Sequence, residues 1–215
     1  MTRIDSKLYA IVDVDTCRAK NLAVVEFAQA VCEARPRYLQ LRAKHATARE
    51  TLELLDAIVP IAQRHGVLTF ANDRADLALF ARTDGVHVGQ QDLPIAQVRS
   101  IAPALRIGIS THSEMQLQAA LGVVPDYVAI GPIFATTSKA NADSPVGISG
   151  LVVAARLARA AQIPLVAIGG ISLDRLREVA PHADYIAMIG ALVPNSCRIN
   201  DVAAHVARIS AELAG

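Results

Sequence analysis

From end to end the chain alternates between short runs of β-branched and other apolar residues and longer stretches rich in Ala and Leu. Eight short runs read as strands: Leu8–Val14, Tyr38–Arg42, Val67–Asn72, Gly85–Val88, Arg106–Ser110, Tyr127–Gly131, Leu165–Gly169 and Tyr185–Ile189. They run into Gly, Asn, Asp or Ser, as strands do at turns. Helical stretches follow at about 22–34, 47–65, 74–81, 94–102, 113–122, 148–161, 172–180 and 200–213. Local punctuation agrees, because Thr47 with Glu50 makes a capping box and Pro94 suits a first helical turn. Ser172, two residues before Asp174, is placed as an N-cap. Strands that alternate with helices build parallel sheets, open or closed. Eight units in 215 residues favour closure, so the expected fold is α/β, a single-domain (β/α)8 TIM barrel over residues 1–215.

Composition supports a large core, with 53% hydrophobic residues and a mean hydropathy of +0.34. Four Phe, four Tyr and no Trp leave that core, as an expectation, to Val, Ile, Leu and Ala. A net charge of +1 provides no global field for nucleic acid or an acidic membrane, so affinity for anions must come from local placement of charge. Cys17, Cys32 and Cys197 are odd in number and lack metal-ligand spacing, which predicts idle thiols in a reducing cytoplasm. The opening segment is too short in apolar residues for a signal peptide or a span. A homo-oligomer is compatible with this composition, which does not specify one.

A barrel of this kind carries its chemistry at the strand C-termini and in the loops that follow. Gln40, Arg42 and Lys44 fall at i, i+2 and i+4 on the second strand, sharing one face while Leu39 and Leu41 take the other. Converging cations at a strand end need an anion. Asp73 follows the third strand, after Asn72, and Asp92 follows the fourth. As isolated residues each would be an ordinary loop cap, but beside Arg42 and Lys44 they read as ligands for a hard cation such as Mg²⁺ that also takes phosphate oxygens. Ser110 could hydrogen-bond a phosphate, and His112 is either an acid/base group or a plain loop histidine. The longest loop, 132–146, holds Thr136, Ser138 and Lys139 and reads as a cover for a phosphorylated ligand. Gly169, Gly170 and Gly190, at the ends of strands seven and eight, allow close backbone approach to a second anion. Two anion stations across one mouth, without a Ser–His–Asp or Cys–His arrangement, point to group transfer rather than covalent catalysis.

The ordered set QLRAK (40–44), NDRADLAL (72–79), DGVHVGQQDLP (84–94), IGISTH (107–112), DYVAIGPIFATTSK (126–139), VGISGL (146–151) and VAIGGI (166–171) resembles the thiamine phosphate synthase family, which includes the thiazole tautomerases. The resemblance implies that Gln40, Arg42, Lys44, Asn72, Ser110 and Lys139 hold a hydroxymethylpyrimidine diphosphate, and that Asp73 and Asp92 hold Mg²⁺. It implies that Thr136, Ser138 and the backbone at Gly170, Ile189 and Gly190 hold a thiazole phosphate. Arg42, Lys44, Ser110 and Lys139 are then the expected catalytic set, stabilising charge on a departing diphosphate. Two positions depart from the family pattern: Ser138 replaces a Thr, and Gly190 stands where a Ser is expected. The resemblance leaves a tautomerase acting through His112, and a ligand-binding relative without turnover, as the alternatives.

Overall fold

The computed structural model describes residues 6–136 and 143–214. Strands β1 (Leu8–Asp13), β2 (Tyr38–Arg42), β3 (Leu68–Asn72), β4 (Gly85–Val88), β5 (Arg106–Thr111), β6 (Tyr127–Ile130), β7 (Leu165–Ile168) and β8 (Tyr185–Met188) are parallel and pair in chain order. β8 returns to β1, with Leu8 opposite Ile186 and Ala10 opposite Met188, and so closes the expected eight-stranded barrel. Helices α1 (Val14–Ala19), α2 (Val24–Glu33), α3 (Ala48–His65), α4 (Ala75–Phe80), α5 (Ile95–Ile101), α6 (Glu114–Gly122), α7 (Gly147–Ala160), α8 (Leu176–Val179) and α9 (Ile199–Ala214) alternate with them.

Capping chemistry sets several boundaries. At α3 the Thr47 hydroxyl accepts from the Glu50 amide at 3.2 Å, while Gly66 ends the helix at φ 74°. Helix α1 was not expected. Asp13 stops β1 one residue early because its Oδ1 accepts from the Thr16 amide and hydroxyl at 2.8 and 2.6 Å, which starts a helical turn. The helix expected at 172–180 is also different: a 3-10 turn (Leu173–Arg175), the single-turn α8 and a second 3-10 turn (Ala180–His182) replace it. Pro181 supplies no amide hydrogen for the Arg177 carbonyl, so the α-helical ladder cannot continue through it. Ser172 precedes this segment, but its side chain does not bond the expected backbone amide.

The barrel divides its residues by the two-residue period of a strand. Outward positions such as Leu39, Leu41, Val86, Val88, Ile107 and Val128 pack under the helices in one aliphatic layer. Inward positions form a second, separate core of Tyr9, Ile11, Tyr38, Phe70, Tyr127, Ala129, Val166 and Ala187, with Tyr185 against it. All four tyrosines of the chain therefore lie inside the barrel, which corrects the expectation of a purely aliphatic interior. An eight-stranded barrel must be filled by side chains, and rings fill it where the opposing strands make room. Tyr38 and Tyr185 meet edge to face at 4.8 Å between centroids, and Tyr38 and Phe70 at 5.3 Å. Gly85 and Gly108 supply the room: a Cβ on Gly85 would fall 2.3 Å from Phe70, and one on Gly108 1.9 Å from Tyr127.

Cys17 and Cys32 are buried in the outer layer, and burial pushes both thiols up to about 12. Among the described residues no helix is long and apolar enough to cross a membrane. The contact between Gly108 and Tyr127 yields a direct test of the aromatic interior. Gly108→Ala is expected to cost about 1–3 kcal/mol by overpacking. In thermal unfolding that appears as a Tm lowered by roughly 3–10 °C; an unchanged Tm would contradict this packing.

Candidate active site

At the C-terminal end of the barrel the inward positions turn polar. Gln40 on β2, Asn72 on β3, His87 on β4 and Ser110 on β5 line a narrow axial pocket together with Tyr9 and Arg42. As the alternation required, Gln40 points inward and is 2% exposed. Arg42 follows it on the same face and reaches the Asp13 carboxylate at 2.5 Å. Lys44 lies beyond the strand end and forms an ion pair with Asp73. Asp73 itself is held in the left-handed region at φ 62°, which aspartate tolerates better than most residues, with its amide donating to the His87 carbonyl at 2.7 Å.

Asp92 arrives from the loop after β4. Its Oδ2 accepts from the Gly89 amide at 2.7 Å, so it braces its own loop rather than capping α5, whose N-terminal flank is Pro94. Burial pushes the Asp73 carboxyl above the usual carboxylate range; Lys44 pulls it back down, and the nearby Asp92 carboxylate pushes it up again. A buried carboxylate whose proton affinity is raised by a second carboxylate, beside one lysine, belongs to a donor set short of positive charge. A divalent cation that keeps most of its remaining positions for phosphate oxygens and water fits such a pair. No cluster of three or more His, Cys, Asp or Glu with metal-binding geometry occurs among the described residues.

A larger pocket adjoins the first, sharing Ile168, Ala187 and Ile189 in its wall. Thr136, Gly170, Gly190 and His112 line it, so these four residues share one pocket next to the first. Backbone lacing builds its floor: the Ile133 amide donates to the Ile168 carbonyl at 2.9 Å, and Phe134 to Gly169 at 3.0 Å. Gly170 sits under this lacing at φ 67°, where a Cβ would meet the Ala135 and Phe134 carbonyl oxygens at 2.5 and 2.7 Å. Gly190 is different, because a Cβ there meets nothing within 4 Å. His112 is held at the rim, its Nδ1 2.6 Å from the Gly131 carbonyl and 3.4 Å from Asp143. Ser138 and Lys139 lie outside the described residues.

Sequence reasoning missed three participants. Asp13 neutralises Arg42, and its signal was an acid interrupting the apolar run of β1. His87 places Nε2 2.7 Å from the Ser110 hydroxyl and Nδ1 2.8 Å from the Tyr127 hydroxyl. Its signal was an inward-phase polar residue in the four-residue strand Gly85–Val88. Gln90 bonds the Ser110 carbonyl at 2.7 Å and ties the β4 loop to β5; nothing in its spacing announced this.

The sequence profile described as thiamine monophosphate synthase matches residues 8–192, which include every strand and both pockets. The chain belongs to that family. Among its relatives, the thiamine-phosphate synthase of Koribacter versatilis is 43% identical over 195 residues, covering 87% of this chain and 89% of the relative. The thiamine-phosphate synthase of Chloroflexus aurantiacus is 37% identical over 191 residues, covering 88% and 86%. A bifunctional thiamine biosynthetic enzyme of Arabidopsis thaliana is 37% identical over 198 residues, and the chain spans only 37% of its length. The solved structure of a thiamine phosphate pyrophosphorylase from Pyrococcus furiosus superposes with a TM-score of 0.82 at 30% identity and full coverage of both chains. In this thiamine monophosphate synthase relative the Gly170 backbone is a point of the pocket that leaves no room for a side chain. Gly170→Ala should lower stability by about 1–3 kcal/mol. A thermal scan that shows no loss of Tm would refute the lacing.

Proposed function

We propose that the chain is a thiamine-phosphate synthase that joins a 4-amino-2-methyl-5-hydroxymethylpyrimidine diphosphate to a 4-methyl-5-hydroxyethylthiazole phosphate, or its carboxylated form. The observation that supports this reading is a narrow pocket lined by Arg42 and Asn72 that shares a wall with a second, wider one, with the Lys44–Asp73 ion pair following Asn72 in the next loop. Gln40, Asn72 and Ser110 hold the pyrimidine end, and Arg42 and Lys44 take the diphosphate, with Lys139 from the loop joining them. Asp73 and Asp92 would hold Mg²⁺, which when bound neutralises charge on the diphosphate. Thr136, Ser138 and the backbone at Gly170, Ile189 and Gly190 hold the thiazole phosphate.

The C–O bond between the pyrimidine methylene and the diphosphate breaks first, its electron pair leaving with the diphosphate. The ring-stabilised cation is then captured by the lone pair of the thiazole nitrogen, forming the new C–N bond; with the carboxylated thiazole, the carboxylate then leaves as CO2 and its electron pair stays on the ring. No strong base is required. The residues act by orienting two rings and by placing positive charge where negative charge develops. Arg42 and Lys44 begin paired with Asp13 and Asp73, so their side chains are already aimed into the mouth. The wall shared through Ile168 and Ile189 keeps the two rings in adjoining apolar space and excludes water from the cation. A tautomerase acting through His112 has less support, because its Nδ1 is turned to the Gly131 carbonyl at 2.6 Å.

Incubation of the purified protein with both substrates and Mg²⁺ is expected to yield thiamine phosphate by mass, and a chelator to stop it. Asp92→Ala should lower kcat by about a hundredfold or more, as losing one electrostatic contact to a developing charge does. Turnover unaffected by chelator and variant would sink the cation assignment. Gly190→Ser enters open space, so it should fold normally and lower the KM for thiazole phosphate about three- to tenfold through one added hydrogen bond. An unchanged or higher KM would show that this position does not face the phosphate.

A further inference from the structure

Beneath the candidate site a line of hydrogen bonds crosses the barrel from one wall to the other. The Gln40 amide nitrogen donates to the Tyr9 hydroxyl at 2.8 Å. The Tyr9 and Tyr127 hydroxyls are 2.7 Å apart, Tyr127 is 2.8 Å from Nδ1 of His87, and Nε2 of His87 is 2.7 Å from the Ser110 hydroxyl. All five residues are buried, with Tyr9 and Tyr127 each 1% exposed. The His87 and Tyr127 rings stack at 5.6 Å, which fixes the imidazole against the phenol. Burial pushes both phenols well above their ordinary range, so they remain protonated and each has one hydrogen to give.

A line of groups that each give and accept one hydrogen bond has a direction. With Gln40 donating to Tyr9, the Tyr9 proton passes to Tyr127 and the Tyr127 proton to Nδ1 of His87. The imidazole then carries its hydrogen on Nε2 and donates to Ser110. If Tyr127 donated to Tyr9 instead, Tyr9 would accept twice and its own proton would have no acceptor along the line. The two ends are thereby set. Gln40 keeps its carbonyl oxygen for the pocket, and Ser110 keeps its hydroxyl hydrogen.

We propose that Tyr9, Tyr127 and His87 are positioning and specificity residues whose directed hydrogen bonds make Gln40 an acceptor and Ser110 a donor, so that the axial pocket selects an amino-substituted nitrogen heterocycle over its oxo counterpart. An exocyclic amino group offers hydrogen to Gln40, and a ring nitrogen accepts from Ser110. The oxo analogue presents an oxygen to the Gln40 oxygen. Accommodating it requires the Gln40 amide to rotate, both phenol hydrogens to turn and the imidazole to change tautomer together. The inference rests on the synthase reading for its ligand and deepens it: Gln40 and Ser110 are linked through three further residues, of which Tyr9 and His87 also reach the pocket and Tyr127 does not line it.

The test measures binding and turnover of the full-length protein with the aminopyrimidine diphosphate and with its 4-oxo analogue. Tyr9→Phe and Tyr127→Phe each preserve the ring while removing the hydroxyl, and His87→Gln supplies a second way to alter the line. Each phenylalanine variant should lose about tenfold or more of the amino-over-oxo preference, the expected size of one broken buried hydrogen bond. Affinity for thiazole phosphate should not change. Tyr9→Phe/Tyr127→Phe should lose no more preference than either single variant, because a line is broken once. Losses equal for both analogues, additive in the double variant, or matched by weaker thiazole phosphate binding would reduce these residues to packing and overturn the proposal. Thiamine phosphate formation with unaltered preference in every variant overturns the relay and leaves the synthase reading intact. A wild-type protein that discriminates in binding through this line yet forms no product supports the relay and overturns the synthase reading.

Discussion

Closure of the eight strands imposes a division of labour on every one of them. Each strand shows one face to the helices and the other to the axis, and the register of a parallel barrel brings all inward faces into a shared column. Tyr38, Gln40 and Arg42 on β2 illustrate the result: ring, amide and guanidinium follow one another up the same face while Leu39 and Leu41 seal the outer layer. The column thus changes character along its length, from aromatic packing to a hydrogen-bonded tier to charge. Each tier supports the one above it. Gly85 and Gly108 let the rings in, the rings place two hydroxyls, and the hydroxyls meet His87 and Gln40 directly beneath the mouth.

Electrostatics at the mouth follows from the same geometry. Asp13 and Arg42 are neighbours in the β1–β2 register, so the acid that ends one strand faces the cation that ends the next. Lys44 and Asp73 repeat the pattern one strand further round. Positive side chains are thereby prepositioned by partners that water alone would not hold as firmly, because Asp13 is 4% exposed. Asp92 stands outside these pairs and accepts a hydrogen bond from a backbone amide of its own loop. The wider pocket is organised differently, by backbone rather than charge, with the β6 loop stitched onto the end of β7.

Much of this was legible in the residue order. The alternation of strand and helix gave the closed topology, and the two-residue period placed Gln40 inward and Leu39 and Leu41 outward. The cluster of Lys44, Asp73 and Asp92 could be assembled because barrel topology brings successive loops together. What escaped notice depended on contacts across the barrel. Tyr9 and Tyr127 are far apart in the chain, and nothing local in LYAIVD or YVAI marks their hydroxyls as neighbours. His87 was hidden for the same reason, since its partners come from β5 and β6. Asp13 was visible only as an interruption, and its two tasks, capping α1 and pairing with Arg42, require the folded register. At 172–180 helical composition was overruled by Pro181, a local signal that periodicity alone outweighed.

The open space at Gly190 has a consequence for how such a site drifts over time. Gly170 and Gly108 are policed by the fold, since any side chain there collides with backbone or ring. Gly190 is not: a residue can be gained or lost at that position without disturbing a single packed neighbour. Selection on folding is therefore blind to it, and only demand for the ligand at the wider pocket can hold a particular side chain in place. Within one barrel, some positions answer to stability and others to substrate supply, and these glycines, alike in sequence, fall on opposite sides of that line.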